Sequence, residues 1–372
     1  MRHNPPRRRR RRITMRKWNF CAGPAVISEE VLSEVQAELL EYKNFGTSIM
    51  EMSHRSEAYK KVASTAKDDL KDILEIPDTF EILFLQGGAT YQFSMIPMNF
   101  KHLTGTADYI TTGTWTKKAF IEGSKIMNLK EIHSSEDNNF TNAPNIEDLE
   151  ISEKAAYVHY CPNETIQGNA IHKAPKINKP LVADMSSVIL SEPLDVRNFS
   201  LIYAGAQKNI GPAGLTIVIL NKEFMKEGNK NLPNLLRYSE HANSDSMLNT
   251  PPTFSWYVAG KVFKWIKNKG GLRFFKEQNT LKASKLYKFI DNSDFYSNPV
   301  EIDNRSIMNI PFILRDNMLD SSFLKESGQN GLLNLKGHRS VGGMRASIYN
   351  AMPLEGVEEL IKFMDYFESK YG

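Results

Sequence analysis

Cysteine is scarce in this chain, and long apolar runs are missing altogether. Two cysteines among 372 residues, Cys21 and Cys161, cannot make the disulfide framework of a small secreted domain and fit a reducing, cytoplasmic compartment. No apolar stretch approaches the length of a membrane-spanning helix, so no membrane partner is expected. Internal repeats are absent, no metal site is expected, and low complexity is confined to the first residues. A strong net charge is also lacking. The formal value is +4, but seven arginines, Arg2 and Arg7 to Arg12, lie in the first fourteen residues; without them 40 Lys+Arg face 43 Asp+Glu.

What remains is an ordinary globular composition. With 41% hydrophobic residues the chain can bury a large core and is expected to form more than one domain. Six consecutive arginines after Pro5-Pro6 cannot pack, so residues 1–15 are read as a disordered basic tail. Such a tail could bind nucleic acid, yet nothing downstream supports that work. An upstream translation start, with Met15 the natural one, or a leftover expression tag explains it better. No apolar core follows the arginines, which argues against a secretory signal. No nucleic-acid partner is expected.

The residues with most chemical content surround Lys208. An apolar strand, Leu201-Ile-Tyr-Ala204, runs into Ala204-Gly-Ala-Gln-Lys-Asn-Ile-Gly-Pro-Ala-Gly214, and a second apolar strand, Leu215 to Leu220, follows. A lysine held between buried strands loses hydration, which lowers its pKa and frees the amine to attack a carbonyl and hold a Schiff base. By itself the pattern also fits a surface turn. Upstream, Pro180-Leu-Val-Ala-Asp184 is an apolar strand ending in an acid. Pyridoxal phosphate enzymes pair such an acid with the protonated pyridine nitrogen, although a lone Asp there could equally cap a turn. A third element is the strand Glu81-Ile-Leu-Phe-Leu-Gln86 followed by Gly87-Gly-Ala-Thr90. Glycines opening a helix let the backbone N–H groups approach a phosphate. The three together are more specific than any one of them.

These stretches, with Ser48-Ile-Met-Glu-Met-Ser-His-Arg55, His159-Tyr-Cys-Pro-Asn-Glu-Thr165, Asn249-Thr-Pro-Pro-Thr-Phe254 and Gly337 to Pro353, resemble the phosphoserine aminotransferase family from about Trp18 to Gly372. The resemblance implies an α/β, class V, fold-type I pyridoxal 5′-phosphate-dependent transferase of the aspartate aminotransferase-like kind. Its large domain would hold a mostly parallel seven-stranded sheet, and a smaller C-terminal α/β domain would follow. It also implies reversible amino transfer between L-glutamate and 3-phosphohydroxypyruvate, giving O-phospho-L-serine and 2-oxoglutarate in serine biosynthesis. Related action on 3-hydroxy-2-oxo-4-phosphobutanoate in pyridoxine biosynthesis is implied as well.

Residue by residue, the resemblance makes Lys208 and Asp184 catalytic. It assigns Ala89, Thr90, Trp115, Thr165, Gln207, Asn249 and Thr250 to cofactor binding beside them. Asn249 and Thr250 would reach the phosphate from a neighbouring subunit, so a homodimer is expected with active sites at its interface. Without the resemblance, Trp115 could stack on a ring or pack a strand end, and Thr165 could donate to the ring or cap a turn. His54, Arg55, His338, Arg339 and Arg345 are the substrate-binding set. Guanidinium forks match carboxylate and phosphate bidentately, and Arg345 is similar to the family's α-carboxylate anchor. Two departures stand out: Thr90 occupies a position where some members carry Arg, and Ala22 one where others carry Ser. A cysteine desulfurase would need a nucleophile on a mobile loop, whereas Cys161 precedes Pro162 at a strand end. An alanine- or serine-glyoxylate aminotransferase is the alternative, but it needs fewer anion-binding arginines.

For organisation, a helix capped by Ser28 is expected to run to about Tyr42, and another begins at Ser56. Strands are expected near 81–86, 107–112, 155–160, 180–184, 201–204 and 215–220, largely parallel with one reversed strand possible. A helix from Phe254 to Asn268 should end at Gly270-Gly271. The large cofactor domain is therefore placed at residues 16–265, its first residues free to pack with the small domain, and the small domain at 266–372.

Overall fold

Side-chain alternation explains the main sheet. The computed structural model describes residues 16–372, and the basic tail expected over 1–15 lies outside the described residues. Seven strands, β1 (Phe80–Leu85), β2 (Thr106–Thr111), β3 (Asn128–Ser134), β4 (Val158–Tyr160), β5 (Leu181–Asp184), β6 (Leu201–Gly205) and β7 (Thr216–Asn221), form one sheet. Their spatial order is β1-β7-β6-β5-β4-β2-β3. All run parallel except β7, which is antiparallel to both neighbours. Ile82, Phe84, Ile110, Ala183, Ile202 and Ile217 face one side, and Leu83, Leu85, Tyr109, Val182, Tyr203 and Val218 the other. Apolar residues on both faces are what a sheet covered on both sides requires.

Helices supply the cover. On the first face lie α2 (Glu57–Ile73) and α5 (Thr253–Asn268), with Trp256 stacked on Phe84 at 4.3 Å between centroids. On the second lie α3 (Gly88–Thr104) and α4 (Thr114–Ser124). Helix α2 begins as expected, with the Ser56 hydroxyl accepting from Tyr59 N and Tyr59, Ala63, Ala66 and Leu70 buried along one stripe. Helix α1 (Glu29–Glu38) differs from expectation at both ends. The Ser28 side chain makes no capping bond, and the helix stops at Glu38 rather than Tyr42. Positive φ at Lys43, Asn44 and Gly46 then turns the chain, a signal that the helical periodicity of residues 28–42 does not carry.

Strand β3 was not expected. It is an edge strand whose Asn128-Leu-Lys-Glu-Ile-His-Ser134 alternates half-buried with exposed positions, so it has no apolar run to announce it. Charged side chains on an edge also discourage unwanted pairing.

The C-terminal part holds α6 (Gly271–Asp291), β8 (Tyr296–Ser297), β9 (Asn309–Leu314), α7 (Asp320–Gln329), β10 (Met344–Ser347) and α8 (Leu354–Tyr371). Its antiparallel sheet runs β8-β9-β10 over a core that includes Phe312, Phe323, Leu360 and Phe367. Gly270 takes the left-handed position just past α5, as the helix-end signal implied. The boundary drawn after residue 265 falls inside α5. The core of the large part continues through Ile266, Leu272 and Phe275, and the second core starts at Ala283, so the change occurs within α6. Phe20 belongs to the second core, and Trp18–Asn19 pair in parallel with Leu332–Leu333. Among the described residues no helix is long and apolar enough to cross a membrane.

One buried lysine on α6 anchors the segment that follows β10. Lys282 Nζ, on α6, donates to the carbonyls of Ile348, Tyr349 and Met352 at 3.0, 2.9 and 2.9 Å. The next residue along, Asn350, donates its N–H to Asn209 Oδ1 at 3.0 Å, beside Lys208. Lys282→Met keeps the apolar stem but strands three buried acceptors. It should cost ~2 kcal/mol or more, read as a lower urea midpoint for the C-terminal part. An unchanged midpoint would show that the lysine anchors nothing.

Candidate active site

The parallel strands β1, β2, β4, β5 and β6 lead at their carboxyl ends into the site, where an open α/β sheet leaves a crevice. Beyond β1, Gly87 and Gly88 adopt φ of 91° and 71° and start α3, whose first N–H groups have no partner within the helix. A Cβ on Gly87 would sit 2.7 Å from that of Tyr91, so this sharp entry needs glycine. Gly88, Ala89 and Thr90 line a cavity of about 320 Å³. Trp115, from the start of α4, lines it too, with Lys118 Nζ 4.6 Å from its ring centroid. Strand β5 contributes Asp184, and the turn after β6 contributes Gln207 and Lys208.

The lysine is held out of water. Lys208 is 8% exposed, its Nζ donates to Thr165 Oγ1 at 2.5 Å, and burial lowers its pKa against the opposing pull of Asp184. An amine so placed is more easily neutral, hence nucleophilic and basic. Asp184 shows the mirror effect. Burial raises its pKa, while hydrogen bonds from Ser186 and Tyr203 and the charge of Lys208 lower it. The Ser186 hydroxyl donates to Asp184 Oδ1 at 2.6 Å and accepts from Gly205 N at 3.0 Å, joining β5 to β6.

Behind Asp184 stands a residue pair that sequence reasoning passed over. Tyr203 Oη lies 2.8 Å from His159 Nε2. The imidazole is fully buried and stacked on Tyr109 at 4.5 Å, and burial pushes its pKa down to about 3. Its Nδ1 has no partner. A neutral ring keeps one proton, and an unpaired buried N–H is costly. The proton therefore belongs on Nε2, which donates to the Tyr203 oxygen and leaves the phenol proton free to turn toward Asp184, whose pKa Tyr203 lowers. The signal was present: His159 is a lone polar residue within an apolar strand that pairs with the one bearing Asp184.

Of the expected site residues, Ala89, Thr90, Trp115, Thr165, Asp184, Gln207, Lys208, His338 and Arg345 line one cavity. Arg345 Nη1 donates to Thr165 O at 3.3 Å, and burial lowers its pKa. Within one protomer the others lie elsewhere. Asn249 lines a separate hollow on the far side of Gly87, beside Tyr91 and Leu235, and Thr250 O accepts from Gln86 Nε2 at 3.0 Å. His54 and Arg55 precede α2 in a loop, and Arg339 is exposed on its own loop. The expected anion cluster is thus not assembled by a single chain. Ala22, left off the site on sequence grounds, does line the cavity, with its carbonyl accepting from Tyr349 Oη at 2.8 Å. Cys161, Asn163 and Ser187 were likewise not foreseen there.

Comparison with known proteins agrees with this geometry. The family model "Aminotransferase class-V" matches residues 17–360. A phosphoserine aminotransferase from Hahella chejuensis is 51% identical over 356 residues, covering 95% of this chain and 99% of its own. A solved phosphoserine aminotransferase from Bacillus circulans subsp. alkalophilus superposes with a TM-score of 0.94 at 45% identity, over 96% of this chain and 100% of its own. A further structure, a PLP-bound phosphoserine aminotransferase from Trichomonas vaginalis, gives a TM-score of 0.90 at 39% identity, over 94% and 100% of the two chains.

The His159–Tyr203 pair makes a measurable claim on Asp184. Tyr203→Phe removes a group that favours the charged carboxylate, so the Asp184 pKa should rise. Carboxyl ¹³C NMR titration reads this directly, with Asp184→Asn identifying the signal. An unmoved titration would break the tautomer argument.

Proposed function

The chain belongs to the class-V aminotransferase family, and from that membership we propose that it is a phosphoserine aminotransferase. It transfers an amino group reversibly between L-glutamate and 3-phosphohydroxypyruvate, giving O-phospho-L-serine and 2-oxoglutarate. The observation that carries this reading is identity of about one half, end to end, with a phosphoserine aminotransferase, joined to a cavity that sets Lys208 against Asp184. The same reading extends to 3-hydroxy-2-oxo-4-phosphobutanoate, a second phosphorylated 2-oxo acid. We place the work in the cytoplasm, which suits two free cysteines.

The residues fit pyridoxal 5′-phosphate. A buried amine, a buried acid, an indole wall and a glycine-cradled helix start meet in one cavity. When bound, this cofactor supplies a carbonyl for the amine and an electron-accepting ring. Lys208 Nζ would hold it and would also serve to move the proton of the substrate Cα. Lowered basicity suits both tasks. Asp184, oriented by Ser186 and Tyr203, would keep the ring nitrogen protonated. Trp115 would form the wall against the ring, Thr165 would donate to the ring's phenolic oxygen, and the N–H groups of Ala89 and Thr90 with Gln207 would hold the phosphate.

Substrate recognition falls to Arg345 for the α-carboxylate and His338 with Arg339 for the distal anion. His54, Arg55, Asn249 and Thr250 complete the site from a second copy of the chain, so the working unit is a homodimer. Exposed apolar side chains beside both segments support this: Leu40, Phe45 and Met50 precede His54, and Tyr91 and Leu235 share the hollow of Asn249. Unpartnered apolar surface of that kind is usual at subunit contacts.

Two experiments test the reading. Lys208→Ala should lose both turnover and the visible absorbance that borohydride bleaches in the wild-type holoenzyme; a variant transaminating at near-native rate would overturn the assignment. Arg345→Leu should raise KM for glutamate and phosphoserine alike, because both present an α-carboxylate. Arg339→Leu should raise KM for phosphoserine selectively, by roughly 30-fold or more for the loss of a charged partner. Normal handling of phosphoserine by Arg339→Leu, with alanine or serine as good wild-type substrates, would transfer the chain to the glyoxylate type.

A further inference from the structure

The short hairpin that carries Thr165 does more than present one hydroxyl. Its strands Asn163–Glu164 and Asn169–Ala170 pair antiparallel, and their side chains reach the start of α4. Helices leave their first four N–H groups without partners, and here those of Thr114, Trp115 and Thr116 are taken by the hairpin. Thr114 N donates to Gln167 Oε1 at 3.2 Å, Trp115 N to Glu164 Oε2 at 3.0 Å, and Thr116 N to Glu164 Oε1 at 2.8 Å. Thr116 Oγ1 adds a fourth bond to Glu164 Oε1 at 2.6 Å. Glu164 is 0% exposed, and a carboxylate at a helix N-terminus is also favoured by the helix dipole. The fit is tight. A Cβ on Gly113 would fall 2.3 Å from Glu164 Cδ, so the carboxylate occupies the space that glycine leaves.

We infer that Glu164 is a positioning residue that fixes the Trp115 wall of the cavity relative to Thr165 and Lys208. It touches neither proposed substrate nor proposed cofactor. It acts by pinning the helix that bears Trp115 to the hairpin whose next residue receives the Lys208 amine. Its charge also lies close enough to favour the protonated form of that amine. This inference rests on the pyridoxal phosphate reading of the cavity.

The test titrates cofactor-depleted protein with pyridoxal 5′-phosphate, following the visible band, and then titrates the loaded protein with pH. Glu164→Gln must turn an amide N–H toward backbone donors, stranding at least one of them. The dissociation constant should rise roughly 10-fold or more, and the midpoint pH of the visible-band transition should fall because a negative charge near Lys208 is gone. Gly113→Ala pushes the carboxylate aside with every charge intact; its φ of −178° admits any residue. It should weaken binding by a similar factor with a smaller change in midpoint. Because both variants break one contact, the double variant should bind little worse than either single one. Wild-type affinity in both single variants, or losses that simply add, overturn the inference, as does a fall in Tm alone with affinity and midpoint unmoved. Should Glu164→Gln fail to fold, Gly113→Ala decides by the same affinity reading. Wild-type protein that takes up no cofactor overturns the reading beneath it, a result distinct from any of these.

Discussion

Keeping one amine out of water governs the layout of this molecule. A lysine ammonium resists burial, and the strands, turn and hairpin around Lys208 exist as a site only because that resistance is met by particular partners. Thr165 accepts from Nζ, Asp184 supplies an opposite charge, and the indole and strand ends exclude solvent. Were the turn after β6 exposed, Lys208 would be another surface charge. Held as it is, the same side chain gives up its charge more readily, as a nucleophile or a base must.

Parallel strands make that arrangement possible at low strain. Each of β1, β2, β4, β5 and β6 ends at the same edge, so residues far apart in sequence converge without long excursions of chain. The reversed β7 closes the sheet between β6 and β1. It thereby brings the Gly87-Gly88 helix start to the same edge as Lys208, although their strands are not adjacent. The hairpin at Asn163–Ala170 then locks this edge to the C-terminal part. Asn163 Nδ2 donates to Asn309 Oδ1 at 2.9 Å, and Thr165 O accepts from Arg345. A shift of the C-terminal part is therefore felt at Thr165, and through it at the amine.

What could be read in the sequence follows from how local each signal was. Lys208, Asp184 and Gly87-Gly88 sit at ends of apolar strands, and an apolar run is visible without a fold. The same holds for six of the seven strands. β3 was missed because an edge strand carries Lys130, Glu131 and His133 in place of an apolar run. Glu164 and Tyr203 were missed for a different reason. Glu164 reads as one polar residue in a turn, and its partners at Trp115 and Thr116 lie 49 and 48 residues away. Tyr203 reads as one more strand aromatic. Their importance comes from tertiary contacts, which composition and periodicity do not encode. The end of α1 and the step between the two cores were misplaced because both depend on packing rather than on a stop signal.

Charge balance is the remaining constraint, and it bears on assembly. Among the described residues lining the cavity, Arg345, His338 and Lys208 stand against Asp184, with the buried Glu164 just behind. His338 is itself pushed toward neutrality by burial and by the nearby Arg345, Lys118 and Arg339. One guanidinium and one weakly basic imidazole are little to set against a substrate carrying both a carboxylate and a phosphate. Anions of that kind are ordinarily held by several forked or charged donors. The missing positive charge exists in the chain, at Arg55 and Arg339, but one protomer places neither in the cavity. A second copy bringing Arg55 and His54 to the mouth would supply it, while covering the apolar residues beside them. The electrostatic shortfall and the exposed apolar surface thus support one and the same proposal, a site completed by pairing.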